Sequence, residues 1–570
     1  MVGILTSMKF AMLGHSSQGM RLIGWLLGIV ALIMTWGAGI AASDEARPSV
    51  LMLASAIWGI GAVFGPVTVS GAGVLRADYF TLLPIDRRRL ALGLLGATFP
   101  GVASGYLLLA FAAVGVHAVV LSPATLLVVL VAVPLLWVIT IALSRVEYGV
   151  LGAAMQTWLG IEISGIQFGF LIASLFTGWM VVTAAIPDVP GFLATGLPDS
   201  INAGLGWFPT SWPLQAVEAA AAGNLVGAVG WLAGLLGLAA VLLLLAAQLL
   251  RPDLGSSSTS GRQRRPAGSR VLTGRPLLPD TALGAVVGKE LRQWWRDPWR
   301  KLELRSSVYA GLFVGLFAYV SGDYAVVAPL SGLVIAWMVS MGGCNLYGQD
   351  GSAAWLSIVG QRADTVRAEV WGRQIALLLL FAPPAVIVSG GLVLLSRAWW
   401  SIPVLLGGLA ALLGVSAGMA VLVSAGGVSP GVDPRRRVGP NDAGGDLTLQ
   451  GQVAFWGAAL LIVPTAAVLA AGLATGVELI TWIGVGVGIV NGVLGSVLLG
   501  RMTVGYLERR LPVVFARIRY PGDLAANAGG GFAGWLEKAS HQSEITAAEE
   551  KAKEKRKRVE ARKKKATAAK

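Results

Sequence analysis

Apolar runs of about twenty residues recur along the whole chain, and no other feature restricts its fold as tightly. A bilayer core about 30 Å thick needs roughly 20 apolar residues per helical crossing. Within that core every backbone N–H and C=O must be paired inside its own segment, which makes helices the economical answer. The first six runs lie at about residues 21–41, 49–72, 91–117, 123–143, 163–186 and 225–250. Six more follow at about 306–321, 325–346, 371–396, 401–425, 453–475 and 477–500. The run before Ser321 is short and borrows from the amphipathic segment ahead of it. Only 13% of the 570 residues are charged, against about a quarter in soluble domains. The expectation is an all-α polytopic membrane protein with about twelve transmembrane helices. The first run is too long and too far inside for a signal peptide, so it is expected to be retained.

Lysine and arginine resist translocation and therefore mark the cytoplasmic side. Twelve of them fall between Arg251 and Arg305, four between Arg76 and Arg89, and Arg435, Arg436 and Arg437 stand together in another alternate loop. The connection from Pro187 to Asn224 has Asp188, Asp199 and Glu218 but no basic residue. This alternation places both termini in the cytoplasm. A weak repeat with a period near 280 residues suggests two parallel six-helix halves, a common transporter plan. The first has the basic lead Lys9, Phe10 and Arg21 and a loop from Asp78 to Arg89; the second has Lys289 to Pro298 and a loop from Asp350 to Arg367. The expected division is 1–250 for the first half, 251–285 for a flexible cytoplasmic linker rich in Ser, Gly, Arg and Pro, 286–515 for the second half and 516–570 for a cytoplasmic basic tail. Eleven of the 44 basic residues lie between Lys551 and Lys570, so much of the net +14 belongs to that tail. Attraction to anionic lipid is its leading functional reading.

The chemistry-bearing residues are sparse. One cysteine, Cys344, excludes an intrachain disulfide or a cysteine-built metal cage, and His15, His117 and His541 are far apart in sequence. No metal site is expected. No G-x-x-x-x-G-K-[ST] occurs, so the chain has no P-loop with which to hydrolyse ATP. The predicted spans are nearly free of ionisable residues, which argues against an ion-driven transporter. Glu162, with Gln167 nearby, is the candidate contact on a substrate path. Asp86 to Arg89 reads either as a positive-inside anchor or as a short coupling helix that docks on a soluble motor. Leu82 stands where the major-facilitator loop would carry glycine, so that signature fails. Trp294, Trp295 and Trp299 interleaved with Arg292, Arg296, Arg300 and Lys301 suit an interfacial elbow helix better than a nucleic-acid surface. Gly414 and Gly418, and Gly484, Gly488 and Gly492, permit close helix approach. The outer acids Asp188, Asp199 and Glu218 leave room for a membrane-embedded transferase acting on lipid-linked substrate, in which one serves as general base.

Several short stretches together resemble the type-two ABC exporter permeases, in particular their twelve-span actinobacterial polyketide and antibiotic exporter branch. They are Lys289 and Glu290 with Trp294 to Pro298, Tyr347 to Gly351 leading to Trp355 and Leu356, Leu82 to Arg89, and Pro209 to Asn224. The resemblance covers about residues 8–515; the lysine-rich tail lies outside it. It implies the membrane-spanning permease of a multidrug exporter in a bacterial plasma membrane, with no catalytic residue and no cofactor of its own. A separate cytoplasmic ABC ATPase, in two copies, would bind the ATP and magnesium. The substrate would be a hydrophobic or amphiphilic compound such as an antibiotic, drug or lipid. Asp86, Arg87, Gln361, Arg362 and Asp364 would then couple the permease to the ATPase, and Lys289, Glu290 and Trp294 would position the elbow helix.

Overall fold

The computed structural model describes residues 1–14, 18–68, 85–154, 157–186, 188–250, 278–351, 363–429 and 447–519, with a few shorter stretches. Among the described residues there is no strand. In chain order the helices are α1 (Val2–Gly14), α2 (Gln18–Ala41), α3 (Arg47–Thr68), α4 (Arg87–Gly96), α5 (Val102–Phe111), α6 (Val114–Leu121), α7 (Leu126–Ala154), α8 (Trp158–Ala185), α9 (Val189–Thr195), α10 (Asp199–Gly206), α11 (Trp212–Ala221) and α12 (Leu225–Leu249). After residues 251–277 come α13 (Ala282–Arg296), α14 (Pro298–Val320), α15 (Ser331–Gly342), α16 (Leu346–Asp350), α17 (Ala363–Ser396), α18 (Ser401–Gly426), α19 (Thr448–Leu461), α20 (Val463–Thr475) and α21 (Glu478–Arg519).

Ten helical stretches among the described residues are long and apolar enough to cross a membrane, or eleven if α19 and α20, bent by 49°, form one broken span. The expected run missing from this set is the seventh, which falls on α14. Its opening turns carry Arg300, Lys301, Glu303 and Arg305, and the purely apolar part from Ser306 is shorter than a crossing requires. The third predicted run also shifts. Its first part, α4, is a separate helix, because Pro100 lacks an N–H to continue the ladder. The crossing helix then starts afresh at Val102. Leu90 and Leu94 of α4 pack on Leu5 of α1, while Asp86 caps its N-terminus by accepting a hydrogen bond from Arg89 N at 3.0 Å.

The chain forms two compact units, and their boundary differs from the expected cut near residue 250. One comprises Met1–Met155 and Ala185–Gly268; the other comprises Gln156–Ala184 and Ser269–Lys570, so α8 belongs with the later helices. In the first unit Phe111, Val114, Val133, Leu136, Leu214 and Val217 make a core that seats α11 on α6 and α7. Buried Arg47 closes the end of α2 there, donating from Nε to Gly39 O at 3.0 Å and from Nη2 to Ala42 O at 2.8 Å.

In the second unit α18 is almost wholly buried. It meets α21 along the glycines expected to allow close approach. A Cβ on Gly488 would stand 2.2 Å from Gly407 O, and one on Gly492 would stand 2.1 Å from Ala410 O. Only residues without side chains let two helix backbones come that near. On α8, Gly165 and Gly169 lie against Arg305 and Tyr309, and Phe170 meets Phe313 and Phe317 edge-on. Cys344 is buried beside Met419 and Leu422. The expected tail is not wholly apart from the fold: α21 continues through Arg519, and Leu536 is buried in the cluster around Cys344. Leu536 is the side chain that docks, while its apolar neighbours Phe532 and Trp535 stay exposed with their rings 5.8 Å apart. Residues 549–570 lie outside the described residues.

Candidate functional site

The second unit contains a buried network of six charged side chains drawn from four helices. It starts at the joint between α13 and α14. Thr281 caps α13 through a hydrogen bond from Gly284 N at 3.2 Å, and the helix buries Val287, Glu290 and Trp294 on one face. Asp297 then leaves the helical conformation, and its Oδ1 accepts from Trp299 N at 2.9 Å. With Pro298 at the first helical position, one acid ends α13 and starts α14.

That turn brings Glu290 and Arg300 together. Arg300 Nη1 donates to Glu290 Oε2 at 2.6 Å and its Nη2 to Asp350 Oδ1 at 3.0 Å. Lys289 Nζ donates to Asp350 Oδ2 at 3.1 Å and Glu369 Oε1 at 3.0 Å. Arg373, one turn after Glu369 on α17, reaches Glu290 Oε1 at 3.1 Å, donates to Asp350 and Glu369, and lies 4.1 Å from the centre of the Tyr347 ring. Three cations therefore answer three carboxylates, and of the six only Lys289 is substantially exposed.

Short α16, which supplies Asp350, is pinned on both sides. Asn345 Nδ2 donates to Ser429 O and Ser429 N donates back to Asn345 Oδ1, each at 3.1 Å, while Tyr347 N donates to Ser424 Oγ at 2.9 Å. Burial alone would push the Asp350 carboxyl up; Arg373, followed by Lys289 and Arg300, overcomes it and holds the group well below the usual carboxylate range. Burial likewise pushes the Tyr347 phenol far above its ordinary value, against the pull of Arg373. The carboxylates of Glu290, Asp350 and Glu369 lie close enough to share a metal ion. The ammonium and two guanidinium groups already answer those oxygens, so the donor set suits an ion-pair lock better than a metal centre.

The expected site residues fall in different places. Lys289 and Glu290 are members of the network, and Trp294 is buried next to it with its ring edge-on to Phe381 at 5.5 Å. Asp364 is exposed in the first turn of α17, and Asp86 and Arg87 are exposed at the start of α4 in the other unit. Gln361 and Arg362 lie outside the described residues. Glu162 is tied into the seam between α8 and α14: it accepts from Tyr309 Oη at 2.7 Å and pairs with Arg305 Nη2 at 3.3 Å. Gln167 is half-buried on the same helix.

The outer acids do not gather. Asp188 caps α9, Asp199 opens α10, and Glu218 stands 3.6 Å from buried His117. Sequence reasoning did not join Arg300, Asp350, Glu369 and Arg373 into a site, and Arg373 lies inside a run expected to be dry. The available signal was Glu369 and Arg373 at i,i+4 spacing ahead of an apolar stretch.

The apolar helices define a multi-pass helical membrane protein. No protein-family model, curated protein or solved structure matches the chain.

Proposed function

We propose that this chain is the membrane-spanning subunit of an ATP-driven exporter of hydrophobic or amphiphilic compounds, worked by a separate cytoplasmic ATPase in the plasma membrane of a bacterium. The observation that carries the reading is the six-charge network. The resemblance to exporter permeases rests partly on Lys289, Glu290 and the Tyr347–Gly351 stretch, which are well separated in sequence. In the fold they meet in one buried lock that joins α13, α14, α16 and α17. The basic loops put this end of the unit on the cytoplasmic side. A node of this kind lets a push on the elbow or on the start of α17 move several helices together, which is what a permease driven from outside the membrane needs. The exposed Asp86, Arg87 and Asp364 remain the coupling candidates, together with Gln361 and Arg362. A transferase would need paired acids, and the outer acids stand on separate helices with separate partners.

The test is reconstitution into vesicles of the purified chain, alone and together with a P-loop ATPase captured by affinity to it. The chain alone should hydrolyse no ATP, and substrate-stimulated hydrolysis should require both subunits. Robust hydrolysis by the rigorously purified chain, or uptake driven by an ion gradient without the ATPase, would overturn the assignment.

A further inference from the structure

Among the described residues of the first unit, Arg145 is a cation with no ion-pair partner. From Leu126, where α7 begins, to Arg145 the helix rises about 29 Å at 1.5 Å per residue, close to the full thickness of a hydrocarbon core. A crossing that begins at Leu126 would put the guanidinium at headgroup depth, on the side that the basic loops mark as cytoplasmic. Its Nε is buried with no hydrogen-bond partner, and no carboxylate pairs with it among the described residues. Its neighbour of note is the Tyr148 ring, 5.9 Å from the guanidinium carbon. Glu147 is two residues on, about 200° around the helix at 100° per residue, and so points elsewhere.

A second cation, Lys9, lies within electrostatic reach of Arg145. Lys9 of α1 spends its donors on the carbonyls that follow α4, reaching Ala97 O at 3.0 Å, Thr98 O at 3.2 Å and Pro100 O at 2.9 Å. Its position is fixed, and what it offers Arg145 is charge, not free hydrogens. Burial first, and then repulsion from Arg145, lower the Lys9 pKa. Two like charges within electrostatic reach of each other, neither paired with a carboxylate among the described residues, favour an incoming anion. A planar guanidinium matches phosphate oxygens better than an ammonium does.

We propose that Arg145, with Lys9 beside it, binds a phosphoryl anion at the cytoplasmic bilayer face, supplied either by the headgroup of an anionic lipid or by free phosphate. Basic pockets between membrane helices at this depth are suited to such headgroups. The inference is independent of the export reading, since it concerns the other unit and needs no ATPase.

Native mass spectrometry of the delipidated full chain would test it, with phosphatidylglycerol, phosphatidylcholine and inorganic phosphate titrated separately. The expected result is selective retention of phosphatidylglycerol over phosphatidylcholine, weakened about tenfold by Arg145→Gln and several-fold by Lys9→Gln. Arg501→Gln, an exposed arginine of the second unit, should leave retention unchanged. Displacement of phosphatidylglycerol by millimolar inorganic phosphate, with the same Arg145 dependence, would assign the site to free phosphate; no displacement assigns it to lipid. Equal retention in wild type and Arg145→Gln, or an equal loss in Arg501→Gln, would overturn the proposal. If Arg145→Gln fails to assemble, Arg145→Lys keeps the charge without the planar fork and should weaken retention partially. Unchanged retention in a well-folded Arg145→Lys, together with unchanged retention in Lys9→Gln, would equally refute it.

Discussion

Replacing Asp350 by Asn tests the charge lock directly, because the side chain keeps its size and loses only its charge. In the native network Asp350 answers Arg373, Lys289 and Arg300 together. The variant leaves three cations facing two carboxylates in a buried place, and the new amide hydrogens point at groups that can only donate. Stranding a buried charge in this way costs about 3–5 kcal/mol, roughly a hundredfold to several thousandfold in the folded-to-unfolded ratio at about 1.4 kcal/mol per factor of ten. Unfolding in mixed micelles titrated with dodecyl sulfate, followed by tryptophan fluorescence, should show a clearly lowered midpoint. Adding Lys289→Gln to Asp350→Asn restores charge balance and should recover part of the loss. The recovery stays partial because Lys289 is about a third exposed and screened by solvent. Asp364→Asn, an exposed acid nearby in sequence, should barely move the midpoint. An unchanged midpoint in Asp350→Asn, or a double variant worse than the sum of the singles, would refute the reasoning.

The same lock has a pH signature. The folded Asp350 carboxyl titrates below its unfolded value, so its contribution is complete above the ordinary aspartate range of about 4 and fades as pH falls further. The stability gap between wild type and Asp350→Asn should therefore shrink only on strong acidification, and a gap that closed near neutral pH would contradict this. In the α18–α21 seam, Gly492→Val puts a side chain where a Cβ already meets Ala410 O at 2.1 Å. Overpacking of this kind costs about 1–3 kcal/mol, and it should lower the same unfolding midpoint. Asp86→Asn retains a good helix cap, so it should preserve assembly while lowering transport per ATP hydrolysed in reconstituted vesicles; Asp86→Ala should do both kinds of damage. Cys344→Ser, in its apolar pocket, should leave export equal under oxidising and reducing conditions, measured as substrate efflux from vesicles.

The apolar runs carried most of the architecture, because twenty uncharged residues in a row dictate a helix before any tertiary contact forms. Where the sequence reading slipped, a local breaker or a distant partner was responsible. Thr98 to Gly101 divided a single predicted span, and the charged opening of α14 left the apolar part of that helix too short for a clean crossing. The membership of α8 in the later unit depends on Gly169 meeting Tyr309, a contact between residues 140 positions apart that no window on the sequence can see. The lock was half legible. Lys289 and Glu290 stood out as a basic and acidic pair at an elbow, and Asp350 stood out in its motif. Arg373 lay inside a predicted span and drew no notice, since its carboxylate partners come from residues 290 and 350 as well as from its own helix.

Helix α21 is 42 residues long, about 63 Å at 1.5 Å per residue and roughly twice a hydrocarbon thickness. Its middle lies flush against the backbone of α18, and its last turns place Leu507, Leu511 and Val514 in the same core as Trp294, Tyr347 and Val370. Mechanically it is an oar whose blade lies in the apolar core beside the charge lock, with no side-chain cushion where it rests on α18. A swing of about 10° around its midpoint carries each end through about 5 Å, the rise of one helical turn.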